Sequence, residues 1–349
     1  MTKQNRDISL DIAKAICIIL MVVGHSGCPE FLQKFGNTFR MPCFFFISGL
    51  LFSEKYFTNL SFGIKKKLKG YGLPVVKWGL IFVLFHNVFV NLHIYDETAR
   101  LSSSQFFYRV LKIATVTGGE QLLGGFWFLI SMTWASVISV IFCHFLSKYN
   151  NLSNFSILGG VIFFLLVAFG EAFMPKIILS AHFGPQTFLA TAFFMTGYLC
   201  KRMNILQLNI MKWKTVLILV PIMFVPFFAF RMTDAQGFEV FIYYVLAICG
   251  SLGIMGISSF VSKTRMSRFF TYIGNKTLYI LIFHFLAFKG VSYIYILIHN
   301  LPITCLSQFP VLESAPSYLW IIYAIFGIAS SIAIWEIVDK FQKRFAKSL

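Results

Sequence analysis

Runs of apolar residues long enough to cross a bilayer recur along this chain, and they constrain its fold more than any other feature. A hydrocarbon layer of about 30 Å takes about 20 helical residues. Between charged or Pro/Gly-rich breaks, such runs centre near Ile19, Phe46, Ile81, Ala135, Phe164, Ala192, Val220, Ile248, Phe285 and Phe326. Helices satisfy their own backbone groups in lipid, so the sequence predicts an all-α polytopic membrane protein with about ten transmembrane helices. Composition agrees: 58% of the 349 residues are hydrophobic and only 12% are charged. Mean hydropathy is +0.76, far above that of a soluble domain. The second run, residues 39–52, is short, and is expected to tilt or lean on its neighbours.

The net charge of +17 is topological. Nucleic-acid proteins gather their bases in a polar domain, and none is present, so no nucleic-acid partner is expected. With the N-terminus in the cytoplasm, nineteen lysines and arginines fall inside and six outside. That asymmetry predicts an N-in, C-in topology.

Asp11 and Lys14 interrupt the first apolar run, so it is not a cleavable signal peptide. In "HSGC", residues 25–28, His25 stands where a lipoprotein cleavage box has an aliphatic residue. Seven scattered cysteines form no CxxC pair, which signals neither a metal nor a redox framework. They read as packing residues, with a Cys28 to Cys43 bridge conceivable if both lie outside. No internal repeat or second domain is evident, so residues 1–349 are expected to form a single integral-membrane domain. In the longest loop, near residues 91–125, "SSSQFFYRVLKIATV" is amphipathic and is expected to lie in the outer interface or dip back in.

The chemistry concentrates where lipid-facing helices carry no charge. In "DIAKAICIILMVVGH", Lys14 and His25 are eleven residues apart, about three helical turns plus 20°, and so face nearly the same way roughly 16 Å apart. Asp11 lies one turn before Lys14 on that face. Singly, each has a bland explanation: Asp11 pairs with Lys14 near one interface and His25 snorkels near the other. Together, three groups that each cost about 2.5–3.5 kcal/mol to insert imply a polar lumen. A neutral histidine there is a candidate general base.

Other outliers follow. Arg40 opens the second run in "FRMPCFFFISG", where Pro42 and the Ser48-Gly49 pair mark a helix that something approaches closely. Trp127 in "GFWFL" is by default an interface tryptophan. His284 in "LYILIFHFLAF" fits a core histidine and a site residue equally well. Glu171, His182, Asp234 and Glu239 read as solvated loop residues. The lysines of "KKKLKGYGLPVVKWG", residues 65–79, are either an ordinary positive-inside cluster or a dock for anionic phosphates, which lysine serves as a point charge.

Several stretches together resemble the acyltransferase 3 family of bacterial multi-pass membrane O-acyltransferases, in particular its stand-alone, fucose 4-O-acetylase-like members. They are "RDISLDIAKAICIILMVVGH", "FRMPCFFFISGLLF", the lysine cluster before "GLPVVKW", "GFWFLISM", "TAFFMTGYLCKR" and "IGNKTLYILIFHFLAF". The resemblance implies a ten-helix core that takes acyl-CoA from the cytoplasm and passes the acyl group to a hydroxyl on the outer side. Acetyl-CoA is the favoured donor, with no metal. His25 is then the catalytic base or acyl carrier, Lys14 holds the basic position of its pair, and Lys66 and Lys69 occupy the basic pair associated with CoA. Two positions depart from the family pattern. Lys14 stands where arginine is common and lacks its bidentate fork, and Arg40 stands where many relatives have histidine before Met-Pro. No extracellular hydrolase-type domain is expected after the last run.

The expected reaction is acyl transfer through the bilayer to a cell-surface glycan or its precursor. Asp11, Lys14, Arg40, Ser48, Trp127 and His284 are expected to support His25, with Lys14, Lys66 and Lys69 toward CoA. Membrane lipids, acyl-CoA and a glycan acceptor are the expected partners, and oligomeric state is not legible. Two other classes compete: a secondary transporter or lipid-linked glycan flippase, for which the paired broken helices are not found, and a non-catalytic scaffold, which leaves the ionisable stripe unexplained.

Overall fold

The structure is a computed structural model, and it describes residues 7–149, 152–171, 183–184, 186–205, 232–235 and 237–348, with side chains to 340. In chain order its helices are α1 (Ile8–His25), α2 (Glu30–Asn37), α3 (Arg40–Leu50), α4 (Lys55–Thr58), α5 (Leu60–Lys67), α6 (Leu73–Leu84), α7 (His86–Asn91) and α8 (Ser103–Ala114). Then follow α9 (Phe126–Lys148), α10 (Asn154–Glu171), α11 (Thr187–Arg202), α12 (Glu239–Val261), α13 (Ser267–Gly274), α14 (Thr277–Ile298) and α15 (Leu319–Ser348). Among the described residues there is no strand, as an all-helical membrane chain requires.

Six of these helices are long and apolar enough to cross a membrane: α1, α9, α10, α12, α14 and the part of α15 up to Lys340. The predicted centres Phe46, Ile81 and Ala192 also fall in helices, α3, α6 and α11, of 11, 12 and 16 residues. The span centred on Val220 and the loop residue His182 lie outside the described residues. The amphipathic "SSSQFFYRVLKIATV" forms α8, started by a capping box in which the Ser102 side chain and the Gln105 side chain each bond the other's backbone N–H.

Contacts divide the chain into two compact units, each made of three segments. The first comprises residues 1–17, 34–75 and 127–275. Its centre is the crossing of α3 and α11, where two glycines face each other's backbones. A Cβ built on Gly49 would stand 1.9 Å from the Phe194 carbonyl oxygen, and one on Gly197 would stand 2.0 Å from that of Phe46. Only glycine permits this approach. Lipid supplies no hydrophobic drive between helices, so backbone-to-backbone contact does the holding. The close approach expected at Ser48-Gly49 is therefore real, and a neighbouring helix makes it. Between α5 and α6, residues Leu68–Gly72 form a π-helical turn. Pro74 has no N–H for the preceding turn, and the widened turn accommodates its ring.

The second unit comprises residues 18–33, 76–126 and 276–349. Here α14 packs along α15, and buried lysines fasten its surroundings. The Lys289 ammonium, 3% exposed, donates to the carbonyls of Leu306 and Gln308, both at 2.6 Å. Lys276, at the start of α14, pairs with Glu336 of α15 at 2.7 Å and lies 4.3 Å from the Trp335 ring. A buried ammonium is tolerated only where it is bonded in this way.

Candidate active site

At the N-terminal end of α1, in the first unit, Lys14 Nζ lies 2.6 Å from Asp11 Oδ1. This is the expected i,i+3 pair, with Asp11 nearly fully buried and Lys14 partly open. Gly274 closes against it: a Cβ there would stand 2.0 Å from the Asp11 carbonyl oxygen. The pair lines a cavity of about 520 Å³ together with Asp7, Lys55, Tyr56 and Lys201. By sequence alone, Lys55 and Lys201 are just two of the nineteen charges assigned to the inner side. They lie 41 and 187 residues beyond Lys14 in the chain, and only the fold brings the three ammonium groups to one cavity. Lys201 Nζ also donates to the Phe52 carbonyl.

Lys66 and Lys69 are exposed and do not line this cavity. The lysine between them points the other way. Lys67 is 7% exposed and enters an aromatic box, with its ammonium 5.2 Å from the Phe52 ring, 4.8 Å from Tyr56, 5.6 Å from Tyr71 and 5.4 Å from Phe194. It lies outside the six long spans. Ring faces attract the cation, yet burial outweighs them and pushes the ammonium down from 10.5 to about 8.

Three further predicted residues belong to the first unit. Arg40, 7% exposed, is the first residue of α3, and its charge acts on the Cys17 thiol and the Tyr243 hydroxyl. Ser48 receives the Tyr71 hydroxyl at 3.4 Å. Trp127 is half-buried at the start of α9, edge-on to Phe128. None of the seven cysteines forms a disulfide with another, so the conceivable Cys28 to Cys43 bridge is not made.

In the second unit, His25 ends α1, where Gly27 at φ +77° turns the chain away. Its ring centroid lies 5.7 Å from that of His284, in the middle of α14. Phe285 contacts both rings, at 5.0 Å from His25 and 4.0 Å from His284. His284 is fully buried. Its Nδ1 faces the carbonyls of Ile280 at 3.0 Å and Leu281 at 3.1 Å. Carbonyls only accept, so Nδ1 carries the hydrogen and Nε2 presents a lone pair. That Nε2 has no hydrogen-bond partner among the described residues. His284 is thus a fully buried histidine, bonded to its own helix and standing beside His25. Among the described residues, no group of three or more His, Cys, Asp or Glu is placed to hold a metal ion.

Comparison with known proteins decides the family. The sequence model of a family described as "Acyltransferase domain" matches residues 7–336. The chain belongs to the acyltransferase 3 family. It is an acyl-transferring enzyme, and the carrier and scaffold readings give way to that. This acyltransferase is also similar to nodulation protein NolL of Mesorhizobium japonicum (strain LMG 29417 / CECT 9101 / MAFF 303099), 30% identical over 165 residues. The match takes in 43% of the chain and 38% of NolL, so the chain spans about two fifths of that relative's length. No solved structure matches.

Proposed function

We propose that this acyltransferase moves an acyl group, acetyl in the first instance, from cytoplasmic acyl-CoA to a hydroxyl of a cell-surface glycan or glycan precursor. The protein would sit in the inner membrane of a bacterium, cross it ten times and keep both ends inside. The observation that carries the reading is the His25–His284 pair: two imidazoles side by side, one with a bare, unpartnered Nε2 in an apolar setting. Such a pair is equipped to take a proton from a hydroxyl.

In the proposed step, an imidazole nitrogen of His25 accepts the acceptor's hydroxyl proton while the oxygen attacks the thioester carbonyl carbon. A C–O bond forms and the C–S bond breaks. The departing thiolate takes the proton back from the imidazolium. His284 holds the His25 ring in place and offers a second basic nitrogen. Arg40 or Trp127 is assigned to the developing oxyanion, where a fixed donor contributes most. Lys14, Lys55 and Lys201 line a cavity suited to the phosphate-bearing end of CoA, and the exposed Lys66 and Lys69 are assigned to long-range attraction of that polyanion.

The test uses purified full-length protein in detergent with acetyl-CoA and an acceptor glycan. Free CoA and O-acetylated glycan should appear together, and His25→Ala should lower both about 10²–10⁴-fold while leaving the thermal midpoint unchanged. Wild-type product formation by His25→Ala would overturn the reading. The acetyl content of surface polysaccharide with and without the gene checks the acceptor class in cells.

A further inference from the structure

The second unit contains a second polar cavity, of about 490 Å³, built entirely from residues 86–121. One wall is a stripe of α8, with Gln105, Tyr108, Arg109 and Lys112 at the i, i+3, i+4 and i+7 positions of one helical face. Elsewhere on α8, Phe107 is 70% and Leu111 61% exposed, an apolar surface of the kind that lies in a bilayer interface. The cavity therefore opens on the hydrophilic side of an amphipathic helix.

Its charge is fixed by a buried network. Glu120, 3% exposed, is reached at 2.7 Å by His86 Nδ1 and at 3.1 Å by Arg109 Nη1, while His86 Nε2 bonds the Ala99 carbonyl at 2.8 Å. The Tyr95 hydroxyl donates to the same carboxylate at 3.5 Å. Glu120 is thus spent inward, on His86, Arg109 and Tyr95. Lys112 stands on the rim, its ammonium 4.8 Å from the Tyr108 ring and with no acidic partner among the described residues. Whatever proton His86 carries, two cations face the cavity over one covered carboxylate.

The floor is shaped to fit closely. Val116 adopts φ +56°, which a β-branched residue rarely does. Beyond it, Thr117 N–H returns to the Lys112 carbonyl at 2.9 Å. A Cβ on Gly118 would stand 2.7 Å from Lys112 Cβ, so glycine lets the loop lie against the lysine stem. The same segment then runs to the histidines. A Cβ on Gly124 would stand 3.2 Å from Phe285, and one on Gly125 would stand 3.8 Å from His284 Cε1.

We propose that this cavity recognises the acceptor and that the acceptor is an anionic saccharide, carrying a carboxylate or a phosphate. Arg109 and Lys112 take the anionic group, the open face of Tyr108 takes the apolar side of a sugar ring, and the Gln105 amide takes a hydroxyl. Its volume is within the ordinary range for small-ligand sites. Calling the ligand an acceptor rests on the transfer reading above; the binding does not.

The test is equilibrium binding to the purified full-length protein without acyl donor. The probes are trigalacturonate, its carboxyl-reduced neutral trisaccharide, and maltotriose bearing one phosphate. Wild type should bind at least one anionic probe about tenfold or more tighter than the neutral one, with affinity falling as salt rises. Which anionic probe binds separates uronate from phosphate recognition. Lys112→Gln and Tyr108→Ala, both on exposed positions, should each weaken that binding about tenfold, and His25→Ala should leave it intact. Equal binding of the neutral trisaccharide, unchanged binding by both variants, or no binding of either anionic probe would overturn the proposal. If saccharide binding behaves as expected but His25→Ala still transfers acetyl groups, the catalytic reading fails and the saccharide site stands.

Discussion

His25 and His284 stand with ring centroids 5.7 Å apart although 259 residues separate them in the chain. Phe285 packs on both, so the two imidazoles share one apolar wall. With Nδ1 of His284 committed to helix carbonyls, its only chemistry left is at Nε2.

His25→Ala is expected to lower kcat for acetyl transfer by about 10²–10⁴-fold, the usual contribution of a positioned acid–base group. His284→Phe keeps an apolar ring but removes the basic nitrogen. It should lower kcat about 10-fold or more and leave KM for acetyl-CoA near wild type, as loss of a transition-state interaction does. Steady-state kinetics on the two variants check both statements.

The cavity proposed for the donor makes a separable prediction. Lys14→Gln with Lys201→Gln should raise KM for acetyl-CoA about 10-fold or more, with a smaller change in kcat, because each lysine acts as a point charge on phosphate. The penalty should shrink at high salt. Lys66→Gln with Lys69→Gln, on exposed lysines outside the cavity, should mainly slow association, and stopped-flow binding of a fluorescent CoA distinguishes the two effects.

Lys67 gives a pH signature. Its folded-state ammonium titrates near 8 and the unfolded one near 10.5, so between those values the unfolded chain holds more protons. Stability therefore rises as pH climbs through that window, and the full burial penalty is present below 8. The thermal midpoint of wild type should climb relative to Lys67→Met from pH 8 toward pH 10.5. At pH 7, Lys67→Met should be the more stable protein.

The α3–α11 crossing should be intolerant of side chains. Gly49→Val or Gly197→Val places atoms where a carbonyl oxygen already sits and forces the helices apart. A loss of about 1–3 kcal/mol or more is expected, read as a lower thermal midpoint and poorer recovery in detergent. Gly159→Val, in open space on α10, is the matched control and should behave like wild type.

Local signals in the chain were strong where one helix carries the whole pattern. The Asp11–Lys14 pair follows from an i,i+3 spacing, and the α8 start follows from Ser102 and Gln105 at capping-box spacing. The close approach at Gly49 was signalled by a small-residue pair, though not which helix fills it. Signals failed where partners are remote. Nothing near Lys55 or Lys201 distinguishes a cavity wall from a topological charge, and nothing near His86 announces Glu120. Lys66, Lys67 and Lys69 look alike in sequence. Yet one turns into an aromatic box and two stay exposed, because Phe52, Tyr56, Tyr71 and Phe194, brought together from four places in the chain, surround Lys67 alone of the three.

By itself, the sequence determined that this protein is helical and membrane-embedded, and it singled out His25 as the candidate reactive residue. Periodicity, hydropathy and motif spacing are properties of contiguous residues. Tertiary structure alone decided that His284 stands beside His25, that Lys14 shares its cavity with Lys55 and Lys201, and that Glu120 is covered by His86 and Arg109. Those relationships depend on which helices pack together, and helix packing is fixed by contacts between residues far apart in the chain.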